Sequence, residues 1–481
     1  MIDLRPVAFV IGVLLSILAA AMLVPAAVDL MLGHRDWEVF VASAAVTVFV
    51  GVSMILTTRT GWASFNIRQA FVMTTGAWAT IALFGALPLA FSELDLSFTD
   101  AFFESMSGIT TTGSTVIVGL DTAPPGILVW RSMLQWLGGI GIVVMAIAIL
   151  PILRVGGMQL FRVEAFDADK VLPRAAQVAA AIAGIYLLLT VFAAVLYYLL
   201  GMTGFDAIAH AMTSIATGGF STHDASFSYW DSPGIHWATS VIMIAGSVPF
   251  VLYLRAVRGN PLAMLTDGQV RWMLAILATA AVITTIFLVD NGFYTTADAA
   301  RHGTFNVISV MTGTGYASAD FGQWGGFVVV LMFILMFIGG CAGSTTCGIK
   351  IFRFQVVYAE ARVQIRRLMQ PHGVFIPYYN NRPIPDQVAQ SVMGFFFVYT
   401  LSFAVLALGL GLMGLDFVTA VSGAATAISN VGPGLGPIIG PSGTFTSLPD
   451  EAKWLLSFGM LLGRLELFTV LVMFAPSFWK G

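Results

Sequence analysis

The sequence predicts an all-α polytopic membrane protein with four similar units, each made of a span, a short helix, a loop and a second span. Of its 481 residues, 58% are hydrophobic and only 10% are charged, and the mean hydropathy is +0.89. Soluble proteins carry about 25% charged residues. The chain also contains long apolar segments with shorter amphipathic segments between them. A chain this apolar cannot cover a surface that faces water, so we expect it to fold in a bilayer.

The long apolar segments are each able to cross the membrane, because a helical span needs about 20 apolar residues. Ten such segments cover about 7–32, 38–57, 69–91, 127–152, 176–201, 236–254, 271–289, 325–349, 387–413 and 454–476. The first two stand outside the repeated pattern. We interpret the first as a retained anchor, since its apolar run is too long for the hydrophobic core of a signal peptide.

The short segments cannot cross a bilayer, because each has only about three helical turns. They cover about 98–109, 204–215, 300–311 and 417–428. They align without gaps on one glycine of the loop that follows each: Gly113, Gly219, Gly315 and Gly432. One equivalent position near their starts holds Asp100, Asp206, His302 and Thr419. Asp and Thr there suit capping of a helix start.

The repeats predict how the chain is divided. Two N-terminal spans occupy 1–60, and the four units occupy 61–175, 176–265, 266–385 and 386–481. The polar, basic connections 154–175 and 353–386 are predicted to be linkers or docking surfaces, since neither is long enough to fold alone. Irregular backbone between spans is tolerated at membrane depth only where it is buried in protein or lines a watery cavity.

Charge placement predicts that both termini lie in the cytoplasm. Sixteen basic residues fall on the side assigned as cytoplasmic: Arg5, Arg59, Arg68, Arg154, Arg162, Lys170, Arg174, Arg255, Arg258, Arg271, Arg353, Arg362, Arg366, Arg367, Arg382 and Lys480. Four fall outside: Arg35, Arg131, Arg301 and Lys453. This asymmetry follows the positive-inside rule, and it makes all four short helices enter from the outer face.

The loops after the short helices carry the predicted chemistry. Around the aligned glycines they contain Thr111, Thr112, Gly113; Thr217, Gly218, Gly219; Gly313, Thr314, Gly315; and Asn430, Val431, Gly432. Such loops resemble degenerate potassium-channel filters, in which rings of backbone carbonyls replace the hydration shell of the ion. Glycine takes the required backbone conformation at low cost. The loops contain no carboxylate, which argues against a divalent-ion filter. The alternative for any single loop is a re-entrant turn with no ion role.

The chain resembles the TrkH/TrkG branch of the Trk/Ktr/HKT superfamily of potassium transporters over about 37–476. The resemblance rests on residues 110–115, 216–221 and 430–436. It implies one subunit with four pseudo-equivalent repeats around a single pore, commonly in a homodimer, for potassium uptake across a bacterial inner membrane. It also implies a cytoplasmic nucleotide-binding regulatory ring of the TrkA type. Glycine at position 113 is the family's pattern for potassium, whereas serine is associated with sodium-permeable relatives.

The eighth apolar segment is predicted to be interrupted, because residues 339–348 are small or hydroxylic and do not form a stable helix. The resemblance implies that this loop is an intramembrane gate beneath the filter. The gate residues are Gly339, Gly340, Gly343, Ser344, Thr345, Thr346, Gly348, Lys350 and Arg464. It also implies that Arg464 is an electrostatic barrier in the pore. Glu466, two residues on, does not share its helix face. The alternatives are a helix contact through small residues, and a Lys350 that snorkels to the membrane surface.

Other function classes find less support in the sequence. A polytopic membrane enzyme would need clustered Asp, Glu or His at one membrane face, and a non-transporting subunit would have lost the loop glycines. A symporter coupled to protons or sodium stays open beside a channel-like mechanism, although no buried acid stands out as a proton relay. No cofactor and no nucleic acid are expected to bind. Cys341 and Cys347 are expected to be packing residues, and His210 and His223 are too few for a metal site.

Overall fold

The computed structural model describes residues 2–58, 66–148, 155–158, 171–380 and 382–480. The fold is all-α apart from one two-stranded antiparallel hairpin, Tyr378–Tyr379 with Arg382–Pro383. The helices are Arg5–Leu32, Trp37–Thr57, Ile67–Gly85, Leu87–Ala90, Phe98–Ile109, Pro125–Ala148, Val171–Leu199, Gly204–Ile215, Pro233–Ser247, Phe250–Val257, Ala263–Thr266, Gly268–Asp290, Thr296–Met311, Gly326–Phe337, Ile351–Met369, Asp386–Leu412, Phe417–Ser429, Gly436–Ile439, Asp450–Arg464, Phe468–Leu471 and Pro476–Trp479. Short 3-10 helices cover Leu120–Thr122, Val155–Gly157, Ser226–Tyr229, Phe321–Gln323 and Val472–Phe474.

Seven helices of the described chain are long and apolar enough to cross a membrane, and two bent pairs raise this number to nine. The prediction of a membrane fold is therefore confirmed. Two segments that were predicted to be continuous spans are instead pairs of helices joined at a sharp bend. Segment 236–254 bends by 93° between Pro233–Ser247 and Phe250–Val257, and segment 454–476 bends by 109° after Arg464. At both bends the chain makes hydrogen bonds with polar groups in the interior of the protein.

The two N-terminal helices pack closely against each other. A Cβ atom on Gly12 would lie 2.7 Å from the carbonyl oxygen of Gly51, and one on Gly51 would lie 2.8 Å from that of Gly12. Small residues let helix backbones approach in a bilayer, where van der Waals packing contributes to helix association. These helices form one hydrophobic cluster with parts of Ile67–Gly85 and Pro125–Ala148.

The four short helices are present, and their starts differ in detail from the prediction. The third covers Thr296–Met311 and begins one turn before the predicted residue 300. The N-caps are Ser97, Thr203, Thr295 and Asp416, whose side-chain oxygens accept backbone hydrogen bonds from the first turn. Asp100 and Asp206 are therefore not the caps. They lie in the first turn, where they accept hydrogen bonds from the cap hydroxyls and complement the helix dipole.

The long helices present apolar side chains outward. On Val171–Leu199 and Asp386–Leu412, exposed residues include Leu188 (66%), Phe192 (62%) and Phe397 (69%). The short helices are instead buried along most of their length, together with their hydroxyl and amide groups. The molecule is thus apolar at its periphery and polar at its centre, which is the arrangement expected for a protein surrounded by lipid.

The basic residues that were used to predict the orientation do not all lie at a water-facing surface. Arg59, Arg154, Arg162 and Lys170 lie outside the described residues, as do the side chain of Arg174 and most of connection 154–175. Three basic residues that the charge pattern assigned to one or the other side of the membrane are buried: Arg131, Arg353 and Lys453. Each is paired with a carboxylate, at Glu104, Glu466 and Asp100 respectively. Arg353 therefore does not belong to a cytoplasmic docking surface.

Candidate functional site

The four short helices end in the same way. In each, two backbone N–H groups fold back onto the last turn and satisfy carbonyls that the helix leaves free. The N–H groups of Thr112, Gly218, Thr314 and Val431 donate to the carbonyls of Ser107, Thr213, Ser309 and Thr426 over 2.8 to 3.1 Å. The N–H groups of the preceding residues donate to Gly108, Ser214, Val310 and Ala427. The loops thus leave their helices with one shared backbone geometry, although their side chains differ.

Backbone conformation also repeats around the aligned glycines. Gly113, Gly219, Gly315 and Gly432 have φ values of +88°, +83°, +82° and +110°. The residues two positions earlier are also left-handed: Thr111 at +53°, Thr217 at +49°, Gly313 at +69° and Asn430 at +53°. Three of these are not glycine, so they carry strain that persists only where the surroundings hold the loop in place. Left-handed residues that alternate with residues of ordinary conformation allow successive carbonyls to face the same side of the chain.

The four glycines contact one another's loops in a closed cycle. A Cβ atom on Gly113 would lie 2.3 Å from the carbonyl oxygen of Gly218. One on Gly219 would lie 1.8 Å from that of Thr314. One on Gly315 would lie 2.0 Å from that of Val431, and one on Gly432 would lie 2.8 Å from that of Thr112. Each loop therefore meets the next and the fourth meets the first, so the four loops surround one axis and only glycine fits at each junction.

Polar side chains hold these loops from behind. Asn430 donates to the hydroxyl of Thr112 over 2.9 Å and to the carbonyl of Met460 over 2.9 Å, which links the fourth loop to the first. Gln135 donates to the carbonyl of Gly218 over 2.5 Å and accepts from the N–H of Phe220 over 3.0 Å. The second loop is thus fixed by a side chain from the helix Pro125–Ala148, a contact that the sequence did not predict.

A buried ion pair supports the first loop. Arg131 contacts Glu104 at 2.8 Å, and both side chains are at most 1% exposed. Glu104 accepts from the N–H of Val116 over 2.9 Å, while Arg131 donates to the carbonyl of Ser221 over 2.9 Å and lies 4.1 Å from the ring centre of Phe220. This pair was missed. Its signal in the sequence is Glu104 itself, a carboxylate in the middle of a short helix that the repeat pattern places between two membrane spans.

The predicted interruption of the eighth segment is present, and it forms a closed lobe. The helix ends at Phe337, and the chain returns at Ile349, whose carbonyl accepts from the N–H of Gly339 over 3.0 Å. The N–H of Ile349 donates to Phe337 over 3.0 Å. A Cβ atom on Gly339 would lie 1.8 Å from the carbonyl oxygen of Cys347, so glycine permits the two sides of the lobe to meet.

The lobe lies against the second filter-like loop. Thr345 donates to the carbonyls of Ile215 and Gly246 over 3.0 and 2.9 Å, and the hydroxyl of Thr217 donates to it over 3.1 Å. The N–H of Phe250 donates to the carbonyl of Gly343 over 2.9 Å. The bend after Ser247, which interrupts the sixth predicted span, therefore receives the lobe.

Arg464 anchors the lobe to two other parts of the structure. Its guanidinium donates to the carbonyl of Thr345 over 3.0 Å, to the sulfur of Cys347 over 2.7 Å and to the carbonyl of Gly138 over 2.8 Å. The side chain is 1% exposed. Arg464 is also the last residue of its helix, since Glu466 and Leu467 that follow have φ values of +62° and +49°.

Further charged groups lie beside Arg464. Lys350 is buried and donates to the carbonyl of Thr346, so it does not snorkel to the membrane surface. Arg353 pairs with Glu466 and donates to the carbonyl of Gly156 over 3.0 Å. Glu466 thus serves Arg353 and not Arg464. A cavity of about 10 Å³ is lined by residues of the lobe together with Arg464 and Glu466. Three basic groups against one carboxylate leave this region positively charged.

The four loops line a cavity of about 70 Å³ that reaches Gly113, Gly219, Gly315 and Gly432. His223 lies at its edge, 2.5 Å from Asp121 and 3.5 Å from Asp206. Burial lowers the pKa of His223, but the hydrogen bonds with Asp206 and Asp121 outweigh burial and raise the pKa above its ordinary value. No cluster of three metal-ligating side chains occurs in the described part of the chain. His210 instead contacts the carbonyl of Asp206 and the hydroxyl of Ser221.

Comparisons with known proteins agree with this architecture. The family described as "TrkH: Cation transport protein" matches residues 37–480. The chain is 49% identical to the Trk system potassium uptake protein TrkI of Halomonas elongata, over 99% of this chain and 97% of that relative. It is 38% identical to the Trk system potassium uptake protein TrkH of Escherichia coli strain K12, over 99% of each.

A solved structure gives the same result. The fold matches the crystal structure of the potassium transporter TrkH from Vibrio parahaemolyticus with a TM-score of 0.93 and 37% sequence identity, over 99% of this chain and 100% of that one. A match of this extent covers all the helices that carry the four loops and the lobe. The chain is therefore a member of the TrkH family of cation transport proteins.

Proposed function

We propose that this protein is the potassium-translocating subunit of a Trk-type uptake system and that it conducts through a filter made by the four loops. The observation that carries the proposal is the closed cycle of glycine contacts, in which each loop meets the next around one axis. A ring of backbone carbonyls at such an axis replaces the hydration shell of a monovalent cation. Membership in a transport family makes the alternative of a membrane enzyme wrong.

The proposed filter residues are those of the four loop cores: Thr111, Thr112, Gly113, Thr217, Gly218, Gly219, Gly313, Thr314, Gly315, Asn430, Val431 and Gly432. Only the position of the aligned glycine is chemically identical in all four loops, so the ion is coordinated mainly by carbonyls and less by hydroxyls. The short helices end at the loops, and their negative dipole ends favour a cation there. Serine in place of Gly113 is expected to admit sodium, following the family pattern.

The decisive experiment measures cation flux into vesicles that contain the purified protein, with and without an imposed proton gradient. Channel-like conduction predicts potassium flux that follows its own gradient and ignores the proton gradient. A flux that stops without the proton gradient would instead establish a symporter. Sodium that passes as readily as potassium would contradict the proposed selectivity.

We further propose that the lobe at 339–348, with Lys350 and Arg464, is the gate. The lobe touches the second loop through Thr345, and Arg464 holds it by hydrogen bonds to Thr345 and Cys347. A positive charge beside the pathway also raises the energy of a passing cation. At an effective dielectric constant of about 20, a unit charge about 6 Å from the ion contributes about 3 kcal/mol, or about 100-fold.

The gate is tested with two variants of one residue. Arg464→Ala removes both the charge and the hydrogen bonds, and we expect cation leak through vesicles to rise by up to about 100-fold. Arg464→Lys keeps the charge but loses the planar guanidinium that reaches Thr345, Cys347 and Gly138 together. This variant therefore separates electrostatic repulsion from anchoring of the lobe. Unchanged leak in Arg464→Ala would contradict both roles.

The remaining proposals concern the location, the assembly and the regulation of the protein. We propose a bacterial inner-membrane location with both termini in the cytoplasm, assembly as a homodimer, and control by a TrkA-type nucleotide-binding ring. The charge asymmetry of the connections supports the orientation. Among the basic residues proposed for docking, Arg367 is exposed on the helix Ile351–Met369 and does not line the large basic cavity beside that helix. Labelling of single cysteines from either side of sealed vesicles tests the orientation, and light scattering of the purified protein tests the dimer.

A further inference from the structure

A third and larger cavity, of about 900 Å³, lies far from the four loops. It opens where the helices Phe250–Val257, Gly268–Asp290 and Ile351–Met369 meet the small β-hairpin. The helix Gly268–Asp290 runs from this cavity to the third short helix, so the cavity lies at the end of that span opposite the outer mouth. Its volume is in the range of sites that bind small molecules and headgroups.

The lining of this cavity is strongly basic. Among the described residues that line it are Arg255, Arg271, Arg362 and Arg366, against a single carboxylate, Asp267. Asp267 caps its helix by accepting the N–H groups of Gln269 and Val270. The side chains of Arg271, Arg362 and Arg366 are exposed, and none of them forms an ion pair with a carboxylate of the described chain. Several guanidinium groups that converge on one concave site favour an anion with several oxygens, because each presents its donors in a fork.

The cavity also carries the features of a membrane interface. Trp272, in the second turn of its span, lies 5.5 Å from Tyr358 between ring centres, and both residues line the cavity. Tryptophan and tyrosine concentrate where hydrocarbon meets headgroups. At the rim, Leu262 and Leu265 are each 65% exposed and flank the lining residue Ala263. Apolar side chains exposed beside arginines suit a ligand with a charged head and apolar tails.

We propose that this cavity binds the headgroup of an anionic glycerophospholipid of the adjoining leaflet, with the phosphate on the arginines and the acyl chains along Leu262 and Leu265. Basic pockets between transmembrane helices bind such headgroups. A docked acidic protein is a poorer fit, because the cavity is concave and the exposed leucines beside it would gain no apolar cover. The proposal does not depend on which ion the pore conducts.

Native mass spectrometry of the full-length protein tests the proposal, with phosphatidylglycerol and phosphatidylcholine of equal acyl chains as probes. We expect phosphatidylglycerol to be retained preferentially. Arg362→Gln lowers its retention about fivefold and Arg271→Gln with Arg362→Gln about 25-fold, from about 1 kcal/mol for each basic residue. Arg258→Gln is the matched control, since Arg258 is exposed and lies three residues after Arg255 but does not line the cavity. Arg362→Lys keeps the charge and should restore most of the retention, which separates the effect from misfolding.

Three outcomes would overturn the assignment. Equal retention of the two lipids would remove the preference for an anion. Unchanged phosphatidylglycerol retention in Arg271→Gln with Arg362→Gln would place the lipid elsewhere. Displacement of the lipid by glycerol 3-phosphate at equal concentration would show that a soluble phosphate, and not a lipid, is the ligand. None of these readouts involves ion flux, so failure here is distinguishable from failure of the proposed transport function.

Discussion

Alanine substitution at the four aligned glycines should impair conduction in a graded order. In Gly219→Ala the new methyl group would lie 1.8 Å from the carbonyl oxygen of Thr314, whereas in Gly432→Ala it would lie 2.8 Å from that of Thr112. To reach a contact of 3.0 Å the first must move its neighbour by 1.2 Å and the second by only 0.2 Å. A misplacement of about 1 Å in a positioned group costs about 100-fold in rate. Gly315→Ala and Gly113→Ala fall between these limits, at 2.0 and 2.3 Å.

The measurement is rubidium or potassium uptake into vesicles, normalised to the amount of folded protein. We expect the loss of flux to decrease in the order Gly219, Gly315, Gly113, Gly432. The left-handed backbone adds about 1–2 kcal/mol of strain for alanine at each site. Gly414→Ala controls for that strain, because Gly414 has a φ of +85° and no heavy atom within 4 Å of its added methyl group. Equal losses at all four sites, or the greatest loss at Gly432, would refute the idea that carbonyl displacement sets conduction.

Two further predictions concern ion pairs beside the four loops. Glu104→Gln leaves the buried guanidinium of Arg131 without its carboxylate, so we expect about 3–5 kcal/mol of destabilisation, seen as a lower melting temperature. The double change of Glu104→Gln with Arg131→Met should recover part of this loss, and no recovery would argue against an ion-pair penalty. The raised pKa of His223 means that its stabilisation is present below pH about 6.5 and is lost as the pH rises through the higher folded-state pKa. The melting temperature should therefore fall with rising pH in that region. His223→Gln should flatten this dependence, whereas the same change at the exposed His372 should leave it intact.

The sequence predicted much of the architecture because the underlying signals are local. Hydropathy located the spans, and short amphipathic helices followed by a glycine located the four loops. The third short helix was predicted to begin too late, because Thr295 provides an additional turn that the other three units lack. Asp100 and Asp206 were expected to be caps, but a hydroxyl three residues earlier takes that position in each case.

The bends were not predictable in the same way. Segments 236–254 and 454–476 have the composition of continuous spans, and hydropathy does not report direction. The first bends where Phe250 donates to the lobe, and the second bends where Arg464 turns inward to it. Pro249 is a local sign of the first bend, because proline disfavours helical backbone at the residue before it. The partners that stabilise both bends lie more than 90 residues away in the chain, so a window of local sequence does not contain them.

The supports behind the loops were also missed. Arg353 has the sequence context of a cytoplasmic basic cluster, yet it is fully buried against Glu466. Gln135 lies in an apolar helix and holds the second loop through the carbonyl of Gly218. These contacts join different units, and the identity of a long-range partner is decided by helix packing and not by spacing.

The sequence by itself determined that this protein resides in a membrane, that it has four glycine-centred loops and that one span is broken by small residues. Those properties follow from apolar content, helix length and the conformational freedom of glycine, which act over a few residues. Only the tertiary structure decided that the four loops meet in a closed cycle, that the lobe lies against Thr217 and that Arg464 holds it. The physical reason is that a buried polar group must find a partner, and in a bilayer that partner comes from whichever distant segment the packing brings within hydrogen-bond reach.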